Sequence, residues 1–258
     1  MSEQAANTAP AIILVRPRLP ENIGMAARAM ANMGARALTL VSPLRWGGPY
    51  LEKAAAPATP KGLEILRAAT ICSSLAEALA PLHLALGTTA RLSGVAAGHG
   101  GDGGWRNRVL TPAEAAGELY AAGRQNLAAA LVFGPEDTGL ENDEIEQCSH
   151  LVNIPTFGLS SLNLAQAVLL LLYECSKSGA GNAEEMPERQ NRRPVTLGEE
   201  RLLLDSLRAE LARLDAIPAD RAPWYMRSLR RFLRRRELRR HEFDLLMGLC
   251  RQLRHKLP

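Results

Sequence analysis

The chain is poor in aromatic residues and cysteine, and none of its apolar runs is long enough to cross a bilayer. Phe, Trp and Tyr together supply 4% of its 258 residues. The core must therefore be built from Leu, Val, Ile and Ala, for which a hydrophobic share of 47% is ample. The four cysteines, Cys72, Cys148, Cys175 and Cys250, lie far apart with no C-x-x-C spacing. That argues against a zinc site and a disulfide framework, and it fits a reducing cytoplasm. The longest apolar run, Ala167 to Tyr173, is far short of the ~20 residues a membrane span needs. Met1 to Pro10 lacks the basic start and apolar stretch of a secretory leader. His83, His99, His150, His241 and His255 do not cluster with carboxylates at ligand spacing, so no metal site is expected. Ser160-Ser161 lacks the Gly-x-Ser-x-Gly frame of a hydrolase elbow. The glycine-rich loop 98–104 has no Gly-Lys-Ser/Thr and no helix phased behind it, which argues against a P-loop and a dinucleotide fingerprint.

What is present is alternation. Ala11 to Val15 is a continuous apolar run that reads as a buried parallel strand. Ile23, Ala26, Ala27 and Met30 then recur at helical spacing, with Gly34 at the expected C-terminal cap. Ala37 to Val41 reads as a second strand, and strand–helix–strand implies a parallel sheet. Further strands are expected at His83–Leu86, Ala128–Phe133 and Leu151–Ile154. Helices are expected at Lys61–Ala69, Ser74–Leu79, Pro112–Ala122, Ile145–Cys148 and Leu162–Ser176. The fold class is α/β. A Gly-, Asn-, Glu- and Pro-rich stretch follows, and beyond it Leu197–Leu214 and Trp224–Leu257 read as helical with no strand signal. The expected organisation is an α/β domain over 1–178, a linker over 179–195 and a basic helical region over 196–258.

Three segments place polar residues beside an apolar element. In Pro20 to Gly34, Arg28 sits in a run of small apolar residues, where a long cation can clamp a phosphate or carboxylate or simply reach solvent. Gly134-Pro135-Glu136-Asp137-Thr138-Gly139-Leu140 follows a strand, where open α/β sheets bind ligands, and a polar turn is the competing reading. Val152 to Ala167 runs from a strand through a Pro/Gly turn into a helix that opens with Ser160, Ser161 and Asn163. Backbone donors at such a helix start can hold a polar ligand. Asn22 and Ser160 also suit a plain N-cap role.

Asn22-x5-Arg28, Phe133-Gly134-Pro135-Glu136, and Ile154-Pro155 followed by Ser160-Ser161-Leu162-Asn163 resemble the three signature motifs of the SPOUT-class, TrmH-like RNA 2′-O-ribose methyltransferases. Their order and separation match as well, over roughly residues 11–176. The wording around Leu131–Leu140 and Ser160–Ala165 is most similar to the TrmJ branch, which methylates tRNA at nucleotide 32 of the anticodon loop. The resemblance implies a parallel sheet with a C-terminal trefoil knot, a homodimer, and S-adenosyl-L-methionine bound in the knot. It implies cofactor contacts at Thr88, Thr89, Ala90, Gly134, Glu136, Ile154, Ser160, Ser161 and Leu162. It assigns the reaction to Arg28, with Asn22, Ser161 and Asn163 orienting the ribose or Arg28. Glu136 would position Arg28 or a cofactor amine. A ribosomal RNA target and a silent RNA-binding module with this fold remain alternatives.

Charge is unevenly distributed. Residues 221–258 hold twelve Arg or Lys and three acids, an excess of nine, whereas the whole chain carries only +4. The remainder is therefore mildly acidic, and such asymmetry points to a polyanionic partner. RNA is expected along Arg230, Arg231, Arg234 and Arg235, with tRNA as the structured RNA. A calmodulin-like partner and an anionic membrane surface are lesser uses of the same helix. Trp224, Leu229, Phe232, Leu233 and Leu238 are expected to form an apolar stripe that docks it.

Overall fold

The computed structural model describes residues 9–90, 109–157, 162–178, 193–234 and 238–256. The loop 98–104, Ser160, Ser161 and Arg235 lie outside the described residues. Two compact units emerge, one ending near residue 185 and the other made mainly of residues 186–258.

The first unit is built on a fully parallel seven-stranded sheet of order β3-β2-β1-β6-β4-β7-β5. The strands are β1 (Ala11–Val15), β2 (Leu38–Val41), β3 (Thr70–Cys72), β4 (Leu84–Thr88), β5 (Val109–Leu110), β6 (Ala129–Phe133) and β7 (His150–Val152). The central strands are apolar at successive positions because both faces of the sheet are covered. Ile12, Leu14, Leu40, Leu86, Leu131 and Phe133 point into one large core cluster. Burying each such side chain contributes roughly 1.5–3 kcal/mol.

Helix α1 (Pro20–Met33) leaves β1 with Pro20 in its first turn, where a missing N–H costs nothing. The cap position is Leu19, which makes no side-chain cap bond, so Asn22 is not the N-cap. Three short helices follow, α2 (Pro49–Ala55), α3 (Pro60–Arg67) and α4 (Leu75–Leu79). Then come α5 (Pro112–Arg124), opened by a Thr111/Glu114 capping box, and α6 (Asn142–Ile145). The apolar run around residue 170 forms α7 (Leu164–Ser178), which packs on α1 and α5.

The second unit has α8 (Leu197–Arg213), α9 (Ala222–Leu233) and α10 (Arg240–Lys256). The single helical stretch expected over Trp224–Leu257 is thus two helices. The break is held by backbone pairing of Pro194 with Arg239 and by Val195 N–H donating to the Leu238 carbonyl at 2.9 Å. The core is small: Val195, Leu203 and Phe243, with Leu207, Leu233, Leu238, Leu246 and Met247 packed around them. Ion pairs supplement it. Arg234 Nε lies 2.9 Å from Glu200 Oε1, and Arg254 Nε 2.8 Å from Glu210 Oε1.

Among the described residues, no helix is long and apolar enough to cross a membrane. No group of His, Cys, Asp or Glu among them could hold a metal ion.

Candidate active site

The order in which strands are added reverses between β1 and β6, although the strands stay parallel. From β1 the chain proceeds outward through β2 and β3, then returns to build the other half. A crevice opens at such a switch point, beyond the carboxyl ends of the strands. Register makes those ends level. Leu14 pairs with Phe133, Gly87 with Val132, and Thr88 with Val152. Pro17, Pro135 and Pro155 follow three of these ends, and a residue without an N–H cannot extend a ladder. The turns after β1, β4, β6 and β7 therefore start in one row.

Three of these turns are joined through one side chain. Asn22, only 5% exposed, donates from Nδ2 to Glu136 Oε1 at 2.7 Å. Its Oδ1 accepts from Asn163 Nδ2 at 3.1 Å. Asn163 Oδ1 accepts in turn from the backbone N–H of Ala165 at 2.9 Å, which caps α7. The direction of this chain is fixed by chemistry. An ionised carboxylate can only accept and a backbone N–H can only donate, so both amides have one satisfying orientation. Segments 114 and 141 residues apart in sequence are held together this way.

Glu136 Oε2 also accepts from the Arg18 backbone N–H at 3.2 Å. The Arg18 guanidinium itself pairs with Asp137 at 2.7 Å. Glu136 therefore has amide partners and no cation among the described residues. Its loop is tightly folded: a Cβ on Gly134 would lie 2.3 Å from the backbone of Gly139 and Leu140. Gly139 has φ of 68°, a conformation that suits glycine.

Sequence reasoning missed a second tie across the switch point. Arg16, at the end of β1 with φ of 46°, bonds Glu144 and pairs with Glu141 at 2.9 Å. The Glu144 hydrogen bond raises its pKa further, against the effect of burial. Glu141 and Glu144 also form the capping box of α6. The i, i+3 acids were visible in the sequence, but nothing local linked them to Arg16.

The other expected site residues fall as follows. Thr88 Oγ1 donates to the Val132 carbonyl at 3.2 Å. Thr89 N–H donates to the Val152 carbonyl at 2.9 Å, and Asn153 Nδ2 to the Thr89 carbonyl at 2.9 Å. These bonds tie the ends of β4, β6 and β7. Ala90 is exposed, and Ile154 and Leu162 are partly buried. Arg28 stands apart. Helical geometry places it about 120° around α1 from Asn22 and about 9 Å along it. It is exposed, in a stripe with Glu21, Met25 and Asn32, and has no hydrogen bond or ion pair among the described residues. Glu136 thus meets Asn22 rather than Arg28.

The basic helices also differ from expectation. Arg234 is held by Glu200, and Arg240 pairs with Glu199. Arg231 is exposed, and Arg230 is half-buried with partners of its own. The apolar stripe is split. Leu233 and Leu238 join the small core, whereas Trp224 and Phe232 are each 63% exposed. Helical period accounts for Trp224, which lies about 180° from Leu233, while Phe232 lies at the border of that face, about 60° from Leu229.

A family model described as the SpoU rRNA methylase family matches residues 9–173. The tRNA (cytidine/uridine/adenosine-2′-O-)-methyltransferase TrmJ of Pseudomonas aeruginosa is 33% identical over 249 residues, 92% of this chain and 91% of that protein. The tRNA (cytidine/uridine-2′-O-)-methyltransferase TrmJ of Photorhabdus laumondii is 37% identical over 166 residues, 63% of this chain and 62% of that protein. Among solved structures, TrmJ from Z. mobilis ZM4 matches with a TM-score of 0.76 at 33% identity, covering 95% of this chain and 99% of that one.

Proposed function

The chain belongs to the SpoU rRNA methylase family, and on that premise we propose that it methylates the ribose 2′-hydroxyl of tRNA, on cytidine or uridine at nucleotide 32 of the anticodon loop. It is a TrmJ-like RNA 2′-O-methyltransferase; the tRNA, the nucleotide and the methyl donor are the proposal. The observation that carries it is the Glu136–Asn22–Asn163 chain, which joins all three motif segments at the switch point of the sheet.

The donor in this reading is S-adenosyl-L-methionine, which supplies an electrophilic methyl on a sulfonium. The residues present suit such a group. Glu136 has no cation among the described residues, so its charge favours a cationic ligand and disfavours one carrying phosphates. Thr88, Ala90 and Gly134 offer backbone groups to an adenine edge, Thr89 fixes their turn because its own N–H and carbonyl are engaged with Val152 and Asn153, and Ile154 and Leu162 offer apolar walls. Ser160 and Ser161 complete the set by motif.

Asn22 and Asn163 hold the first turns of α1 and α7 in fixed relation, and with Ser161 they orient the ribose. A guanidinium offers donors and no acceptor, so the hydroxyl proton passes to solvent rather than to Arg28 as the methyl moves from sulfur to oxygen. The role of Arg28 is to stabilise charge developing on the 2′-oxygen and on the neighbouring phosphate.

The trefoil knot, a homodimer and a cytoplasmic location belong to the same reading. The packing of α7 on α1, after a strand inserted between β4 and β5, is compatible with a threaded chain. Leu169, Leu170 and Tyr173 on α7 and Met25 on α1 are exposed apolar side chains that a second copy would cover. Arg28 lies in the Met25 stripe, so a copy laid there would carry it into the interface. The four free cysteines fit a reducing compartment. Arg231 is the exposed cation of the expected set among the described residues and faces RNA. Residues 196–258 form the RNA-binding region, and Pro194 and Val195, at the end of the expected linker 179–195, are tied into it through Arg239, Leu238 and the small core.

The test is incubation with a methyl-labelled donor and total RNA, followed by nucleoside analysis. Labelled 2′-O-methylcytidine or 2′-O-methyluridine in tRNA is expected. Label confined to ribosomal RNA would move the target, and no labelled ribose would favour a non-catalytic RNA-binding module. Arg28→Ala should lose nearly all transfer, and Arg28→Lys should keep part of it with an unchanged pH–rate profile.

A further inference from the structure

Helix α9 presents the wrong residues to water. Trp224 and Phe232 are each 63% exposed and Tyr225 is 40% exposed, in a chain with only eleven aromatic residues. At about 100° per residue, Trp224, Tyr225 and Phe232 share one half of the helix with Arg227 and Arg231. Met226 and Leu233 lie on the other half, with Leu229 at its border beside Tyr225 and Phe232, and all three aliphatic side chains are partly buried. The inward face is thus already supplied with aliphatic side chains, and the rings are not needed there. Trp224 and Tyr225 meet edge to face, with centroids 5.1 Å apart and planes at 89°, which restrains both rings without covering them. The helix carries no acid.

Exposed rings interleaved with guanidinium groups match the two needs of unpaired nucleotides. Each base offers a face for stacking and each linkage a phosphate for a cation. We propose that the outer face of α9 is a stacking platform for unpaired nucleotides of RNA, with Trp224 and Phe232 each taking a base and Arg231 a phosphate. This rests on the RNA reading above and adds to it the part of the RNA that is gripped. A paired stem buries its base faces, so this surface selects a loop or an open strand. The helix carries cations and no acid, which complements the phosphates of a nucleic acid.

The test uses the full chain and two fluorescent probes, a single-stranded oligouridylate and an RNA duplex of the same length, titrated at one fixed salt concentration. Replacing both Trp224 and Phe232 with Ala should weaken the single strand at least about tenfold and leave the duplex unchanged. Trp224→Tyr with Phe232→Tyr keeps the rings and should bind nearly as wild type. A further titration of wild type and Arg231→Ala across a series of salt concentrations should show a salt dependence lower by about one counterion in the variant. The proposal is overturned by unchanged single-strand affinity in the alanine variant, by equal loss on both probes, or by a tyrosine variant as weak as the alanine one. It is equally overturned if the alanine substitutions abolish self-association and nothing else. A wild-type protein that stacks the oligonucleotide but methylates no RNA would sink the methyl-transfer reading and leave this one standing.

Discussion

Asn22 carries more of the architecture than its size suggests. It is buried, it has a carboxylate on one side and an amide on the other, and each of its polar atoms has one compatible partner. Asn22→Ala leaves Glu136 and Asn163 short of a partner, which should cost about 2 kcal/mol in denaturant unfolding. Methyl transfer should fall about a hundredfold, because small displacements of positioning groups are amplified in rate. Asn22→Asp tests the same bond by charge. Two carboxylates at this separation cannot both ionise, so one proton must be shared. The stability deficit of Asn22→Asp relative to wild type should therefore grow as pH rises through the carboxylate range. Glu210 in the second unit behaves in the opposite sense. Arg254, and after it Arg213, hold its carboxyl below the usual range, against the effect of burial. A lowered folded pKa means stability that is full above the unfolded value of ~4.3 and lost as pH falls through the folded one. Glu210→Gln should lower the neutral-pH stability and flatten that acid dependence, which helix ellipticity against pH would register. Cys175 has its thiol pushed up to about 12, by burial and then by Glu174, so it should resist alkylation in the folded protein at mildly alkaline pH.

Elements were legible where pattern was strong. The apolar runs at Ala11–Val15 and Ala129–Phe133 and the period of α1 each declared a strand or helix. What was missed was short or set from a distance. Strands β3 and β5 span three and two residues, too few for any period to show. Helix α2 was missed although Pro49 marks its start. The helix expected at Ile145–Cys148 lies instead at Asn142–Ile145, because the Glu141/Glu144 box starts it before the apolar residues arrive. The three motif segments were legible as candidates, but their hydrogen-bond partners were not. Asn22 read as a cap, and only the fold shows that Asn163 does the capping and Asn22 the bridging. At this scale the crossing of α1 and α2 gives a sharp prediction. A Cβ on Gly24 would lie 1.8 Å from the Ala54 carbonyl oxygen and 2.8 Å from Pro57 Cγ. Gly24→Ala should destabilise by about 1–3 kcal/mol, read as a lowered melting temperature. Activity should fall beyond that, since Asn22 lies two residues upstream.

For the whole molecule, an acidic body and a basic end divide the work, but the excess of nine charges overstates what RNA can meet. Arg234, Arg240 and Arg254 are held by acids of α8. The second unit has a small apolar core, and these pairs help to close it. The salt dependence of RNA binding should therefore have a slope well below that of nine phosphate contacts, measurable by titration across ionic strength. The account as a whole depends on the turns after β1, β4, β6 and β7 making one receptacle for the methyl donor. Equilibrium dialysis against labelled S-adenosyl-L-methionine tests that most directly. Wild type should retain one equivalent per chain, and Gly134→Ala, whose added methyl collides with the backbone of its own loop, should retain little. No retention by wild type, or equal retention by the variant, would contradict the account.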